Sequence, residues 1–339
     1  MITLVFSKDL NGYRGIKARS TSRGPEKMSH ITIGVDISKD TLDVYRLPEQ
    51  EHCQFSNDAK GFKSFIKWLD GAPVYRIVYE ATGAYHRAFE QAFGQTDLPL
   101  SKVNPLHAKR FGQALGKLAK TDKMDAVLLA RFGAVVELRT RQVAPQIMYD
   151  LKELHIARKA LIKDRTAAKN RQKNLTLPML MRDAKQSLKH IEARLKRIDK
   201  AIGDLIKSDT ALAERLAILI SIPGIGECSA YALIIDMPEL GELDGQTAAA
   251  LSGTAPMVRQ SGKWKGKSFV QGGRSQVRQA LYMPALVAST YNPNMKILYR
   301  RLIEAGKPPK VALTAIMRKL IVLANALVRD QRKWNEKMA

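Results

Sequence analysis

At 339 residues, 45% of them apolar, the chain is long enough for two or three domains with real cores and is not a disordered tail. Its 56 Lys and Arg against 32 Asp and Glu leave a formal charge of +24, a balance typical of nucleic-acid proteins and large for an enzyme of small metabolites. Cys53 and Cys228 stand far apart and in no metal-ligand spacing, which argues against a disulfide framework or a zinc site.

No apolar run approaches the ~18 residues of a membrane span, so no membrane role and a reducing cytoplasm are expected. Residues 1–27, with six basic and two acidic side chains, lack the apolar core of a signal peptide and read as a disordered extension. Met28 stands just before the first strand-like run and is an alternative start.

From there "HITIGVDISKDTLDVYRL" alternates and is rich in β-branched residues, which predicts two strands joined at Ser38 to Asp40. "HCQFSN" is a third strand candidate. "GFKSFIKWLDG" is helical, with Phe62, Phe65, Ile66 and Leu69 on one side and Gly71 as stop. "VYRIVYEATG" is a strand, "YHRAFEQAFGQ" a helix, "LPLSKVNP" a short strand, and two helices, "HAKRFGQALGKLAK" and "DKMDAVLLARFGAVVEL", complete the segment. Residues 28–145 therefore read as an α/β domain with a mixed sheet.

Over 146–208 the period changes. Leu188, Ile191, Leu195, Ile198, Ile202 and Leu205 recur at threes and fours, and Ile147, Leu151, Leu154 and Leu161 begin a similar stripe before Pro178. This pattern predicts an antiparallel coiled-coil arm. It carries 16 basic residues against seven acidic ones between 147 and 208, which suits a grip on nucleic acid or a sister subunit, or simply a solubilising face.

Residues 209–339 read as mostly helical. "LISIPGIGECSAYALI" has the form of a helix-hairpin-helix, whose Gly224 and Gly226 would let backbone N–H groups approach phosphate, or would merely make a tight turn. The last helix is expected to bury Val311, Ala315, Leu320 and Leu323.

Two constellations carry chemistry. Asp36 lies inside an apolar strand, where a carboxylate is costly without a compensating partner. Glu80 ends another strand, and Asp122 and Asp125, three apart, share a helix face. Singly, each has a plain reading as a cap or an ion-pair partner. Together they form the arrangement in which ribonuclease H-like nucleases gather Mg²⁺ or another divalent cation. Asp40 and Asp43, at the turn and on the outer strand, are left out of this set.

The second is Ser261. No acid occurs between Asp244 and Glu304, while Arg259, Lys263, Lys265, Lys267, Arg274 and Arg278 surround the serine or follow it, a composition fit for binding nucleic acid. No histidine lies beyond His190, so the local sequence supplies no acyl-transfer relay. A hydroxyl among cations suits attack on phosphorus. On residue chemistry alone, a plain turn in a basic loop accounts for Ser261 equally well.

"IGVDISKDTLDVY", "VYEATGAYH", "KVNPLHAKRFGQALGKLAKTDKMDA", "SIPGIG", "LSGTAPMVRQSGKWKGK", "GGRSQVRQALYMPALVA" and "AGKPPKVALTAIMRKL" resemble, in order, the motifs of the insertion-sequence 110 family of transposases. The resemblance runs from about Met28 to Asp330, and only the 27-residue extension departs from it. It implies a ribonuclease H-like (resolvase-like) DEDD domain whose acids are Asp36, Glu80, Asp122 and Asp125, and a transposase domain whose essential serine is Ser261.

It further implies a covalent phosphoserine link to DNA, metal-binding acids, and recombination of donor and target DNA guided by a non-coding bridge RNA. A homo-oligomer, a tetramer for four strands, and a bacterial cytoplasm at the nucleoid complete the expectation. A site-specific DNA invertase of the same family, a metal-dependent DNA junction nuclease and a non-catalytic nucleic-acid scaffold are the rivals. The strand-buried Asp36 speaks against the scaffold.

Overall fold

The computed structural model describes residues 30–80, 85–116, 122–138, 140, 143–257, 260, 261, 264–266 and 268–335, with backbone alone at 260, 261, 264 and 265. The chain divides into two compact units, 1–143 and 144–339. Each is taken by itself.

The first unit holds β1 (Ile31–Ile37), β2 (Thr41–Leu47), β3 (Glu51–Ser56), α1 (Ala59–Leu69), β4 (Val74–Glu80), α2 (His86–Phe93), β5 (Leu100–Val103), α3 (Pro105–Ala114) and α4 (Asp122–Val135). The five strands form one sheet in the order β3-β2-β1-β4-β5. β1, β2 and β3 meander antiparallel, and β4 and β5 join parallel after helical crossovers. This mixed sheet with helices fits the ribonuclease H-like α/β domain expected from the sequence.

The turn between β1 and β2 is closed by Ser38, whose Oγ accepts from the Thr41 amide at 3.0 Å. α1 starts on Asp58, whose carboxylate accepts the Gly61 N–H at 2.8 Å. On one face of the sheet Phe62, Phe65, Phe89 and Phe93 pack against Ile33, Val35 and Ile77. The Phe89 and Phe93 rings stack at 4.4 Å.

α4 covers the opposite face, and two glycines admit it. A Cβ on Gly34 would stand 2.1 Å from the Ala126 carbonyl oxygen, and one on Gly133 would stand 2.3 Å from a Val78 methyl. The far end of α4 is held by buried Arg76, which donates to the carbonyls of Gly133 at 3.2 Å and Val136 at 2.8 Å.

The second unit holds α5 (Gln146–Gln172), α6 (Pro178–Ser208), α7 (Thr210–Ile220), α8 (Glu227–Asp236), α9 (Gly245–Leu251), β6 (Pro256–Met257), β7 (Gln260–Ser261), β8 (Trp264–Lys265), β9 (Phe269–Val270), α10 (Ser275–Tyr291), α11 (Pro293–Glu304) and α12 (Pro309–Arg329). α5 and α6 lie antiparallel, since Arg158 pairs with Asp199 near one end and Lys169 with Glu192 nearer the other.

The heptad positions Leu195 and Ile202 are buried, as are Leu151 and Leu161. The arm expected at 146–208 is nonetheless not set apart from the helices after it. Leu151, Ile202 and Ile206 belong to the same core as Leu216, Leu219, Leu281 and Leu320, so its base is built into the second unit. Toward the far end Leu177, Met179 and Met181 lie exposed.

α12 crosses that core, burying Ala312, Leu313, Ile316, Met317, Leu320, Ile321, Ala324 and Leu327. Val311, expected inside, is 53% exposed because it falls off this stripe. By length and composition α12 is apolar enough to cross a membrane, contrary to the expectation that no segment is, yet over half of its most apolar window is buried within the unit. It is a core helix. The four two-residue strands, pairing β6 with β9 and β7 with β8, are too short to leave any periodicity in the sequence.

Candidate active site

The acids are gathered by the register of the sheet. Gly34 pairs with Val78 and Val35 with Tyr79 across the parallel β1–β4 ladder. Side chains alternate along a strand, so Asp36 and Glu80, two residues beyond Gly34 and Val78, project to the same face at the carboxyl ends of neighbouring strands. That is the face α4 covers. Because the backbone of α4 rests on Gly34 near Ala126, the first turn of the helix, with Asp122 and Asp125, is brought to Asp36. In open α/β sheets the carboxyl ends of strands are where ligands bind.

The electrostatics record this convergence. Burial, then the charges of Asp125, Asp122, Glu80 and Asp43 in that order, raise the Asp36 carboxyl from 3.8 to about 6. The four charges that dominate at Asp36 are all negative. Asp43, set aside in the sequence, is thus part of the surroundings. It pairs directly with Asp36 across β1–β2, is 3% exposed, and accepts from the Gln54 amide on both oxygens at 3.2 Å. His52 Nε2 lies 3.6 Å from it. Only the antiparallel register reveals it.

This donor set suits a hard divalent cation, being made of oxygen ligands whose charges repel one another at Asp36. Among the described residues no three Asp, Glu, His or Cys side chains stand close enough to enclose an ion as they are. The two observations differ in reach. Coulomb repulsion acts over several ångströms, whereas Mg²⁺ needs oxygens at roughly 2.1 Å. The carboxylates are neighbours that would have to draw inward around an ion.

Ser261 is the second residue of β7 and pairs with Trp264, as Gln260 pairs with Lys265, so two residues connect the strands. It therefore sits at the turn end of a hairpin. Arg259, Lys263 and Lys267 lie outside the described residues, and Lys265 is described by its backbone alone.

The two remaining cations, both half-buried, make bonds within the protein that the sequence did not suggest. Arg274 donates to both Glu239 oxygens at 2.8 and 2.7 Å and to the Asp236 carbonyl at 2.7 Å. Arg278 donates to the carbonyls of Gly253 at 3.2 Å and Gly272 at 3.1 Å. Composition counted their charge; it could not tell where their forks point.

The two hairpin glycines differ in their surroundings. Gly224 has φ +110°, and a Cβ there would meet the Ala288 Cβ at 2.7 Å and the Pro284 carbonyl at 2.8 Å. Its smallness serves packing against α10. Gly226, at the start of α8, has open space around its Cβ position and stays compatible with approach by a phosphate.

A family model described as "Transposase", of the DEDD type named for IS110, matches residues 33–178. A second, "Transposase IS116/IS110/IS902 family", matches residues 216–300. The chain is 30% identical over 325 residues to the "Pilin gene-inverting protein" of Moraxella lacunata and 29% identical to that of Moraxella bovis. Each alignment covers 92% of this chain and 99% of the relative. Over 271 residues, 69% of this chain and 77% of the relative, it is 23% identical to the "Probable family 20 transposase" of Pseudomonas aeruginosa.

Proposed function

Since this chain belongs to the IS110 family of transposases, and so is a DNA transposase and recombinase, we propose that it cuts and rejoins DNA through Ser261, aided by Asp36, Glu80, Asp122 and Asp125. The observation that carries the acidic half is Asp36, whose proton affinity is raised by burial and then by the charges of the other three members of the quartet. A divalent cation, Mg²⁺ by the chemistry of these oxygens, would polarise a phosphoryl oxygen when bound there. The protein's part is to hold the carboxylates on three elements around one point.

In the second unit, the Ser261 hydroxyl attacks phosphorus. A serine oxygen–phosphorus bond forms as a sugar oxygen–phosphorus bond breaks, and the proton given up by serine leaves with the sugar hydroxyl. Reversal toward a new partner strand rejoins the DNA without an outside energy source. Arg259, Lys263, Lys265 and Lys267 supply the positive charge that meets phosphate. The +24 charge supports an RNA partner as well, a bridge RNA that selects donor and target by base pairing. Exchange of four strands calls for a homo-oligomer, which we take to be a tetramer.

The experiment is Ser261→Ala. Wild-type protein incubated with DNA should give a DNA-shifted band on a denaturing gel, and the variant should give none while still binding DNA. An adduct formed by the variant would refute Ser261 as the nucleophile, whereas cleavage by wild type with no adduct at all would favour a metal-dependent nuclease.

A second reading, a site-specific invertase, is favoured by the match to proteins named for gene inversion across 92% of the chain. The same residues would serve. Recombination of a segment flanked by its own sites, scored as inversion or as insertion, separates the two.

A further inference from the structure

The segment between Gly253 and Gly272 carries Ser261, and its root is fastened from two sides. On the incoming stem, buried Ser252 donates to the Ala249 carbonyl at 3.0 Å, and the Thr254 amide donates to the same carbonyl at 2.9 Å. On the outgoing stem Gly273, at φ +64°, rests against the incoming one: a Cβ there would stand 2.3 Å from the Gly253 nitrogen. The Arg274 amide donates to the Leu251 carbonyl at 2.8 Å.

Side chains then tie the stems together. Arg278 bonds one carbonyl from each, Gly253 and Gly272. Arg274 forks onto Glu239 and reaches the Asp236 carbonyl. The Asp236 carboxylate is held in turn from α5, by Lys159 at 2.8 Å and His155 Nε2 at 3.2 Å. Lys159 also donates to Gln276 in the first turn of α10 at 2.6 Å.

We infer that Arg274, Arg278 and Asp236 are positioning residues, which fix the stems of the Ser261 hairpin and tie them to the long helix α5. The inference rests on the reading of Ser261 as nucleophile. Its physical basis is that an arginine set out to catch phosphate keeps its donors in solvent, whereas Arg274 directs both terminal nitrogens, and Arg278 its Nη1, at carbonyls and a carboxylate. Charge-assisted and bidentate bonds fix direction as well as distance. Burial alone would push the Asp236 carboxyl up; the bonds from His155 and Lys159 outweigh it and hold it below the ordinary carboxylate range. A nucleophile displaced by about 1 Å loses on the order of 10²-fold in rate.

The test uses the full-length protein with Arg274→Lys and Asp236→Asn. Lysine keeps the charge and loses the fork. Three quantities are read: amide hydrogen exchange over 254–274, the rate of covalent adduct formation at saturating DNA, and DNA affinity with its salt dependence. Both variants should exchange faster in that segment and form adduct about 10²-fold more slowly, with affinity and salt dependence unchanged.

Wild-type exchange and adduct rate in both variants would overturn the proposal. So would normal exchange combined with weakened DNA binding, the mark of a phosphate contact. If Ser261→Ala still forms the adduct, the nucleophile reading falls, while the exchange data judge the clamp separately. If Arg274→Lys fails to fold, Asp236→Asn, which removes no cation, decides alone.

Discussion

Asp43 stands directly opposite Asp36 on the β1–β2 ladder, two carboxylates on one face, and the charges that dominate at Asp36 are all negative. Like charges in that relation destabilise a sheet. The Gln54 amide steadies Asp43, and nothing comparable among the influences on Asp36 favours its charged form. A bound cation would relieve both acids at once.

Asp36 therefore makes the metal-free protein sensitive to pH. Its folded value, about 6, exceeds the ordinary 3.8, so between the two the folded chain holds more protons than the unfolded one. Stability then falls as pH rises through this window and stays low above about pH 6. Asp36→Asn should melt above wild type in chelator on the alkaline side, by on the order of 1–2 kcal/mol after allowing for screening, and the gap should close in acid. Added Mg²⁺ should raise the wild-type melting temperature and leave the variant unmoved. Identical melting curves in chelator at every pH would count against the convergence of the acids.

Gly34→Ala should separate packing from charge. The new methyl meets the Ala126 carbonyl oxygen at 2.1 Å and the Ala130 nitrogen at 2.4 Å, both backbone atoms that cannot swing aside. Overpacking of this kind costs about 1–3 kcal/mol. As α4 lifts it takes Asp122 and Asp125 from Asp36, so Mg²⁺-induced stabilisation should fall with it. Urea titration with and without the ion reads both, and an unchanged response to Mg²⁺ would mean that α4 does not place the acids.

Asn325 is 2% exposed inside α12, where its Oδ1 accepts from the Gly241 amide at 2.8 Å and its Nδ2 donates to the Leu243 carbonyl at 2.6 Å. Asn325→Leu leaves both backbone groups without partners and should cost about 2–4 kcal/mol. Differential scanning calorimetry should show the loss in the transition of the second unit alone. A shift of the first unit instead would contradict the division at residue 143.

Binding of nucleic acid should weaken linearly in log salt, with a slope of about 0.7 to 0.9 per phosphate contact. A generic basic surface does the same. Competition discriminates: RNA transcribed from beside the gene should displace scrambled RNA of equal length at high salt. Equal competition, with DNA joined in the absence of RNA, would remove the bridge RNA and leave the serine chemistry standing.

The strands and helices of the first unit are readable because β-branched alternation and the Phe62, Phe65, Leu69 spacing are local patterns. Asp122 and Asp125 declare their shared face for the same reason. Asp43 does not, since its partner is fixed by pairing register, a relation between distant residues. Gly34 looks like any strand glycine until the backbone of α4 lies on it. Arg274 and Arg278 are legible as charges and illegible as clamps, because a guanidinium's direction depends on carbonyls at Asp236 and Gly253 brought near only by folding.

The late position of α12 has a consequence during synthesis. Every described strand and helix of the first unit precedes residue 143, so that unit can close while the ribosome is still translating. The second cannot, because the helix that fills its core is made only at 309–329. Until then Leu219, Ile234, Leu281 and their neighbours lack the surface they pack on. The nascent chain thus emerges with β1, β4 and α4 able to pack and the unit that carries Ser261 still unformed, and completes that second unit in a single late step.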